Sequence, residues 1–236
     1  WNGIITACAR AGRAREAEMF LSQMESCGAT PDVVSYNIVI NLCAHTEQPK
    51  KAQDYLAQMQ EAGLQPDEVT YATVISALTR ANMVDEAIDM LVHMQEVGCP
   101  KNQLAYARVV TALGRAGRAR EAAAWLFQME EAGLKPITPV YNWVLAACKK
   151  PPMNPALAEK VARHMLDMGE RPNEFSMSTL QQTLGKERFS ALEEEVPALQ
   201  QAAAEAVGER RRHQQRERNN SFRERGRSQS QQQRGK

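Results

Sequence analysis

Aromatic residues make up only 6% of this 236-residue chain. No apolar run approaches the ~20 residues that a membrane-spanning helix needs, so a membrane protein of that kind is not expected. The five cysteines form no Cys-x-x-Cys pair. His45, His93, His164 and His213 lie far apart, in no spacing that reads as a metal site, and no Gly-rich phosphate loop is present. Zinc ribbons, disulfide scaffolds and nucleotide-phosphate sites are therefore not expected, nor is any cofactor. Glu16, Glu86 and Glu121 recur at one place in a repeating pattern and read as surface carboxylates of that pattern, which makes them poor candidates for a single acid–base site. No catalytic residue emerges, and the chain is not expected to be an enzyme.

What is present is a period. Trp1, Tyr36, Tyr71, Tyr106 and Tyr141 stand 35 residues apart, as do Ala17, Ala52, Ala87 and Ala122. Leu21, Leu56, Leu91 and Leu126 follow the same interval, and so do Met24, Met59, Met94 and Met129. Gly28, Gly63, Gly98 and Gly133 close each copy. A period of this size marks stacked repeats.

The best-preserved copy runs from Val33 to Asp67 and carries two helical stripes. Tyr36, Val39, Ile40 and Cys43 share one helical face by their i, i+3, i+4, i+7 spacing. Ala52, Leu56 and Met59 make the second stripe. Breakers separate the two: Gly12-Arg13, Gln48-Pro49, Asn82-Met83, Gly117-Arg118 and Pro151-Pro152. Gly63 suits a left-handed C-terminal cap, and Pro66 stops an early restart. Each copy thus reads as a helical hairpin that can bury its stripes only against a neighbour. The expected fold is all-α, a right-handed α-solenoid of stacked helix-turn-helix hairpins, about five 35-residue repeats. Cys8, Cys43 and Cys148 share a place where Leu78 and Leu113 stand in other copies, so these thiols read as core, in a reducing compartment.

The divisions expected are a repeat array over 1–173, capping helices over 174–207 and a disordered Arg/Gln-rich tail over 208–236. One extra residue in the fifth copy is placed in the proline-rich link 149–155. Met177 takes the aromatic's place in a sixth first helix. Phe189, Leu192, Val196 and Leu199 continue an apolar stripe to Ala206, interrupted at Pro197. The net charge of +1 conceals a split. From Gly208 to Lys236 ten basic residues face three glutamates, a net of +7, leaving 19 basic and 25 acidic residues upstream, a net of −6. The chain opens with Trp1 in mid-repeat, which reads as a fragment of a longer array.

The skeleton YNxVIxxC…A…L..M…GLxPD resembles the pentatricopeptide repeat (PPR) family over residues 1 to about 173. The resemblance implies sequence-specific binding of single-stranded RNA, one base per repeat, in the chloroplast or mitochondrion, with RNA stabilisation, processing, splicing, editing or translation as the outcome. It implies that the residue after the aromatic and the last residue of each copy select a base together. Those pairs are Asn2 with Asp32, Asn37 with Asp67, Ala72 with Asn102, Ala107 with Ile137, and Asn142 with Asn173. Val34, Val69 and Leu104, with Pro139 and Phe175 in the same place, match positions that sandwich bases. In the family's code Asn with Asp favours uracil and Asn with Asn a pyrimidine. Ala72 leaves Asn102 to act alone, and Ala107 with Ile137 offers no hydrogen bond. The target implied is 5′-U-U-N-N-pyrimidine, for an array that runs parallel to the RNA. Other RNA-processing proteins are implied as partners.

Three alternatives stand beside this reading. Asn and Asp at these places are also ordinary helix N-caps and turn residues. A helical solenoid can serve as a protein-interaction scaffold. The array could also be the RNA-binding arm of a larger RNA-processing enzyme, such as a protein-only RNase P or an editing factor.

Overall fold

The structure, a computed structural model, describes residues 1–197 together with 199 and 201. The basic tail and the end of the expected cap lie outside the described residues. Among the described residues there are twelve α-helices and no strand. They are α1 (Asn2–Arg10), α2 (Ala14–Ser26), α3 (Val33–His45), α4 (Pro49–Glu61), α5 (Glu68–Arg80) and α6 (Val84–Glu96). The series continues with α7 (Gln103–Ala116), α8 (Ala119–Glu131), α9 (Thr138–Lys149), α10 (Pro155–Asp167), α11 (Glu174–Leu184) and α12 (Lys186–Glu195). The chain divides into two compact units, Trp1–Ala147 and Cys148–Lys236.

In the first unit α1, α3, α5 and α7 each pack against the helix that follows, and α2, α4 and α6 each against the first helix of the next copy. The odd-numbered helices also touch one another in series, α1 with α3, α3 with α5, and α5 with α7. This is the stacking of an α-solenoid, and it buries the periodic residues. Tyr71 and Tyr141 are fully buried, as are Ala52, Leu91 and Met129. The hydroxyls of Tyr36, Tyr71 and Tyr106 are satisfied because each reaches eleven residues back, to the preceding copy. Tyr36 Oη donates to Glu25 Oε1 at 3.2 Å, and Tyr71 Oη accepts from Gln60 Nε2 at 3.1 Å.

Both turns of the hairpin are set by left-handed backbone. Within the hairpin the positive-φ residues are Gly12, Glu47, Asn82 and Gly117, again 35 apart. In the best-preserved copy the reversal therefore sits at Glu47, one residue before the Gln48-Pro49 breaker, and Pro49 takes the first helical position where its missing N–H is harmless. At the far end Gly63 has φ 75°. Leu64 N–H donates to Met59 O and Gly63 N–H to Gln60 O, the paired bonds of a Schellman cap.

The second unit holds α10, α11 and α12, packed in sequence. Met177 is buried in α11 at the aromatic's place, and Phe189, Leu192 and Leu199 are buried as their stripe predicts. Glu159 pairs with both Arg163 and Arg188, at 3.1 and 2.9 Å. The link between α9 and α10 spans 150–154, longer than the two-residue link between α7 and α8, and it holds Pro151 and Pro152, while Pro155 opens α10.

The cysteines of the repeat behave as core. Cys8, Cys43 and Cys148 are buried. Burial pushes the Cys43 and Cys148 thiols up to about 11, and the Glu18 carboxylate adds to the effect at Cys43. Neither is a thiolate at neutral pH, so neither suits nucleophilic chemistry.

Candidate nucleic-acid interface

The last residue of a copy folds as the N-cap of the next first helix, for a local reason. A short acceptor side chain on extended backbone meets N–H groups that have no partner inside the helix. Asp32 Oδ1 accepts from Ser35 N–H and Asp67 Oδ1 from Thr70 N–H, both at 2.8 Å. Asn102 Oδ1 accepts from Leu104 and Ala105 N–H at 2.9 and 3.1 Å, and Asn173 Oδ1 from Ser176 N–H at 3.0 Å. Capping is thus a genuine role of Asp32, Asp67, Asn102 and Asn173.

It is not the role of Asn37, which lies a full turn inside α3. Asn37 Oδ1 accepts from the Thr70 hydroxyl of the next copy, 33 residues away, and the same hydroxyl stands 2.7 Å from Asp67 Oδ1. Asn2 repeats the arrangement. Its Nδ2 donates to Asp32 Oδ2 at 3.0 Å, and its Oδ1 accepts from the Ser35 hydroxyl at 2.7 Å. The structure therefore brings together two of the expected pairs, Asn2 with Asp32 and Asn37 with Asp67. It places Ala72 and Asn102 on the wall of one cleft. Ala107 and Ile137 carry no amide or carboxylate. Asn142 lies on α9 in the first unit, and Asn173 caps α11 in the second.

Both aspartates are held below the usual carboxylate range. At Asp32 the cause is the Ser35 N–H, then the Ser35 hydroxyl, with Asn2 adding to them against a smaller effect of burial. At Asp67 burial pushes upward, but hydrogen bonds from the Thr70 hydroxyl and N–H, from Val69 N–H and from Asn37 together outweigh it. Both are acceptor-only carboxylates at neutral pH. A depressed folded pKa means that their stabilisation is complete above the unfolded value and is lost as pH falls through the folded one. Asp67→Asn should therefore lessen the loss of thermal stability on going from about pH 5 into the acid range. An unchanged acid profile would mean that Asp67 has no part in it.

Beside the pairs runs an apolar stripe. Val34, Val69 and Leu104 are 54%, 58% and 52% exposed at one place in successive copies, which leaves them open to a ligand. Pro139 and Phe175 are exposed at the same register. A cleft of about 340 Å³ on the free face of α3, α5 and α7 is lined by Val69, Leu104, Ala72 and Asn102. The same cleft includes Arg80 and His45, which share one place in the repeat with Arg10, Arg115 and Lys150, and Arg108, which has no counterpart in the other copies. Arg80 is fixed by donating to the Ala44 carbonyl oxygen, while Arg108 is exposed at the cleft wall. Among the described residues no group of His, Cys, Asp and Glu could hold a metal ion. No helix among them is long and apolar enough to cross a membrane.

Comparison with known families gives a consistent result. The PPR repeat family matches residues 1–45 and 31–80, and the PPR repeat matches 69–99 and 105–134. The chain belongs to the PPR repeat family. Among solved structures, the PPR domain of Arabidopsis thaliana protein-only RNase P 1, in complex with tRNA, is similar at 17% identity and a TM-score of 0.67. That match covers 78% of this chain and 96% of the other. The maize pentatricopeptide repeat protein PPR10 shares 28% identity with a TM-score of 0.62, over 86% of this PPR chain. This chain spans 28% of PPR10 and 42% of Arabidopsis nuclear proteinaceous RNase P 2, which is similar at 12% identity and a TM-score of 0.68. No curated protein matches the sequence.

Proposed function

We propose that this PPR array binds single-stranded RNA and reads one base per hairpin copy, in the RNA metabolism of a chloroplast or mitochondrion. The observation that carries the proposal is the register of exposed apolar side chains with polar pairs. Val34, Val69 and Leu104 supply flat apolar contacts for a base. The pairs Asn2–Asp32 and Asn37–Asp67 offer donors and acceptors beside them. Bases unstacked on apolar surfaces and hydrogen-bonded at their edges are how single-stranded RNA is read. RNA binding as such is supported by the family and by two similar proteins. PPR10 has been seen in complex with an 18-nt psaJ RNA element, and the RNase P 1 PPR domain with tRNA.

Asn37→Thr tests the reading at the best-preserved copy. The family pairs Thr with Asp for guanine, and a hydroxyl leaves more room for a purine than an amide does. The two proteins would be titrated with RNAs differing only by uracil or guanine opposite this copy. The preference should turn from uracil towards guanine, by on the order of 1 kcal/mol, the low end of single-position discrimination in nucleic-acid readout. Helical content should not change. A folded variant that binds RNA and still prefers uracil would refute base reading here. Absence of any base preference in both proteins would favour a scaffold.

A further inference from the structure

The hydroxyl at the third position of a first helix belongs to neither residue of the expected pair, yet it touches both. We propose that Ser35 and Thr70 are positioning residues, which hold the asparagine of the preceding copy in one amide sense and so separate uracil from cytosine. This rests on the base-reading function proposed above.

The geometry leaves little freedom. The Asp32 carboxylate can only accept, so Asn2 must turn its NH2 toward it and its oxygen away. The Ser35 hydroxyl stands 2.7 Å from Asn2 Oδ1 and 2.8 Å from Asp32 Oδ1, so its one proton is shared between the two acceptors and the amide oxygen is kept on the hydroxyl's side. A ring of three side chains closes with each group in a consistent role. Thr70 completes the same contacts with Asn37 and Asp67. Ser35 and Thr70 are 0% and 1% exposed, so water does not compete for the hydroxyl.

The sequence pattern separates this role from capping. Asn2, Asn37 and Asn142 are followed, at the third position of the next first helix, by Ser35, Thr70 and Ser176. Ala72 and Ala107 are followed there by Ala105 and Val140. Asn102 caps α7 through two N–H groups with no hydroxyl at Ala105. The hydroxyl thus accompanies the asparagine on the preceding helix and is dispensable for the cap.

An asparagine fixed in this way has one N–H and one oxygen lone pair left for a base. Uracil presents a donor at N3 beside an acceptor at O4, and cytosine presents an acceptor at N3 beside a donor at N4. The two edges demand opposite amide senses, and a tethered amide offers one.

The full 236-residue chain would be titrated with two short single-stranded RNAs that differ only by uracil or cytosine opposite the Asn37 copy. Thr70→Val should lower the uracil-to-cytosine preference about five-fold, the worth of one hydrogen bond of about 1 kcal/mol, mainly by improved binding of cytosine. Thr70→Ser should restore it. If Thr70→Val folds and keeps the preference while Asn37→Ala erases it, the hydroxyl serves packing alone and the inference is wrong. A gain-of-function arm covers variants that do not fold. Ala72→Asn together with Ala105→Ser should discriminate between pyrimidines where Ala72→Asn alone does so weakly, and equal discrimination would overturn the inference. If neither the parent chain nor Asn37→Ala distinguishes the bases, base reading itself fails and this inference fails with it.

Discussion

Gly114→Leu should destabilise the first unit by about 3 kcal/mol or more, the upper range for overpacking a close contact. A Cβ at Gly114 would lie 2.7 Å from the carbonyl oxygen of Trp143 and 2.9 Å from its carbonyl carbon, and backbone cannot step aside as a flexible side chain can. Ala9, Ala44 and Thr79 occupy this place in earlier copies, so α7 alone among them uses glycine to let the next first helix approach. Even Gly114→Ala should destabilise, although alanine in a helix is ordinarily favoured over glycine by about 1 kcal/mol. Gly3 is the control. It is also helical, and a Cβ there meets nothing within 4 Å, so Gly3→Ala should raise stability by up to about 1 kcal/mol. Urea denaturation of the three variants reads opposite signs for the same exchange at the two glycines. A neutral Gly114→Ala would mean that α9 can shift away from α7 without loss.

Removal of residues 208–236 should weaken binding to all RNAs by a similar factor and flatten the salt dependence. The segment carries a net charge of +7 beside an upstream chain of net −6, so most of the attraction to phosphate resides in it. Each phosphate neutralised on a single strand contributes about 0.7 to the slope of log affinity against log salt, so full engagement of seven charges would remove a slope of about 5. At that slope a four-fold change in salt alters affinity about a thousand-fold, which makes low salt the condition where the loss is greatest. Base preference at the Asn37 copy should survive the cut, because Asn37, Asp67 and Thr70 hold one another through hydrogen bonds of their own. Equal slopes for the cut and uncut chains would take the tail out of RNA binding.

The two expected readings of the repeat's polar residues, helix cap or base reader, prove to be compatible at the atomic level. Asp67 accepts the Thr70 N–H as a cap, and Asn37 and the Thr70 hydroxyl contribute hydrogen bonds to it from the side. Capping holds the carboxylate in place and ionised, and that is what a reader needs. The N-cap pattern at the ends of these copies is thus no argument against a binding role.

The hairpins were legible in the sequence because their causes are local. A helical stripe is a matter of residues three and four apart, and a left-handed turn or Schellman cap of a few consecutive residues, so a 35-residue period exposes both. The buried tyrosines, alanines, leucines and methionines follow directly, since an amphipathic hairpin has only its neighbours to pack against. The polar pairs and the exposed stripe of Val34, Val69 and Leu104 were also legible, through register and family resemblance. Contacts between copies were not. The Ser35 hydroxyl meets Asn2 across 33 residues, Lys51 meets Glu18 across 33, and Arg80 reaches the Ala44 carbonyl across 36. Such contacts depend on how far one hairpin is displaced and rotated against the next. That displacement is set by side-chain volume at the packing surface, as Gly114 against Trp143 illustrates. The sequence by itself determined the elements and their order. The tertiary structure alone decided which polar atoms of one copy meet those of the next, because hydrogen bonds form over a few tenths of an ångström and helix stacking fixes distance on that scale.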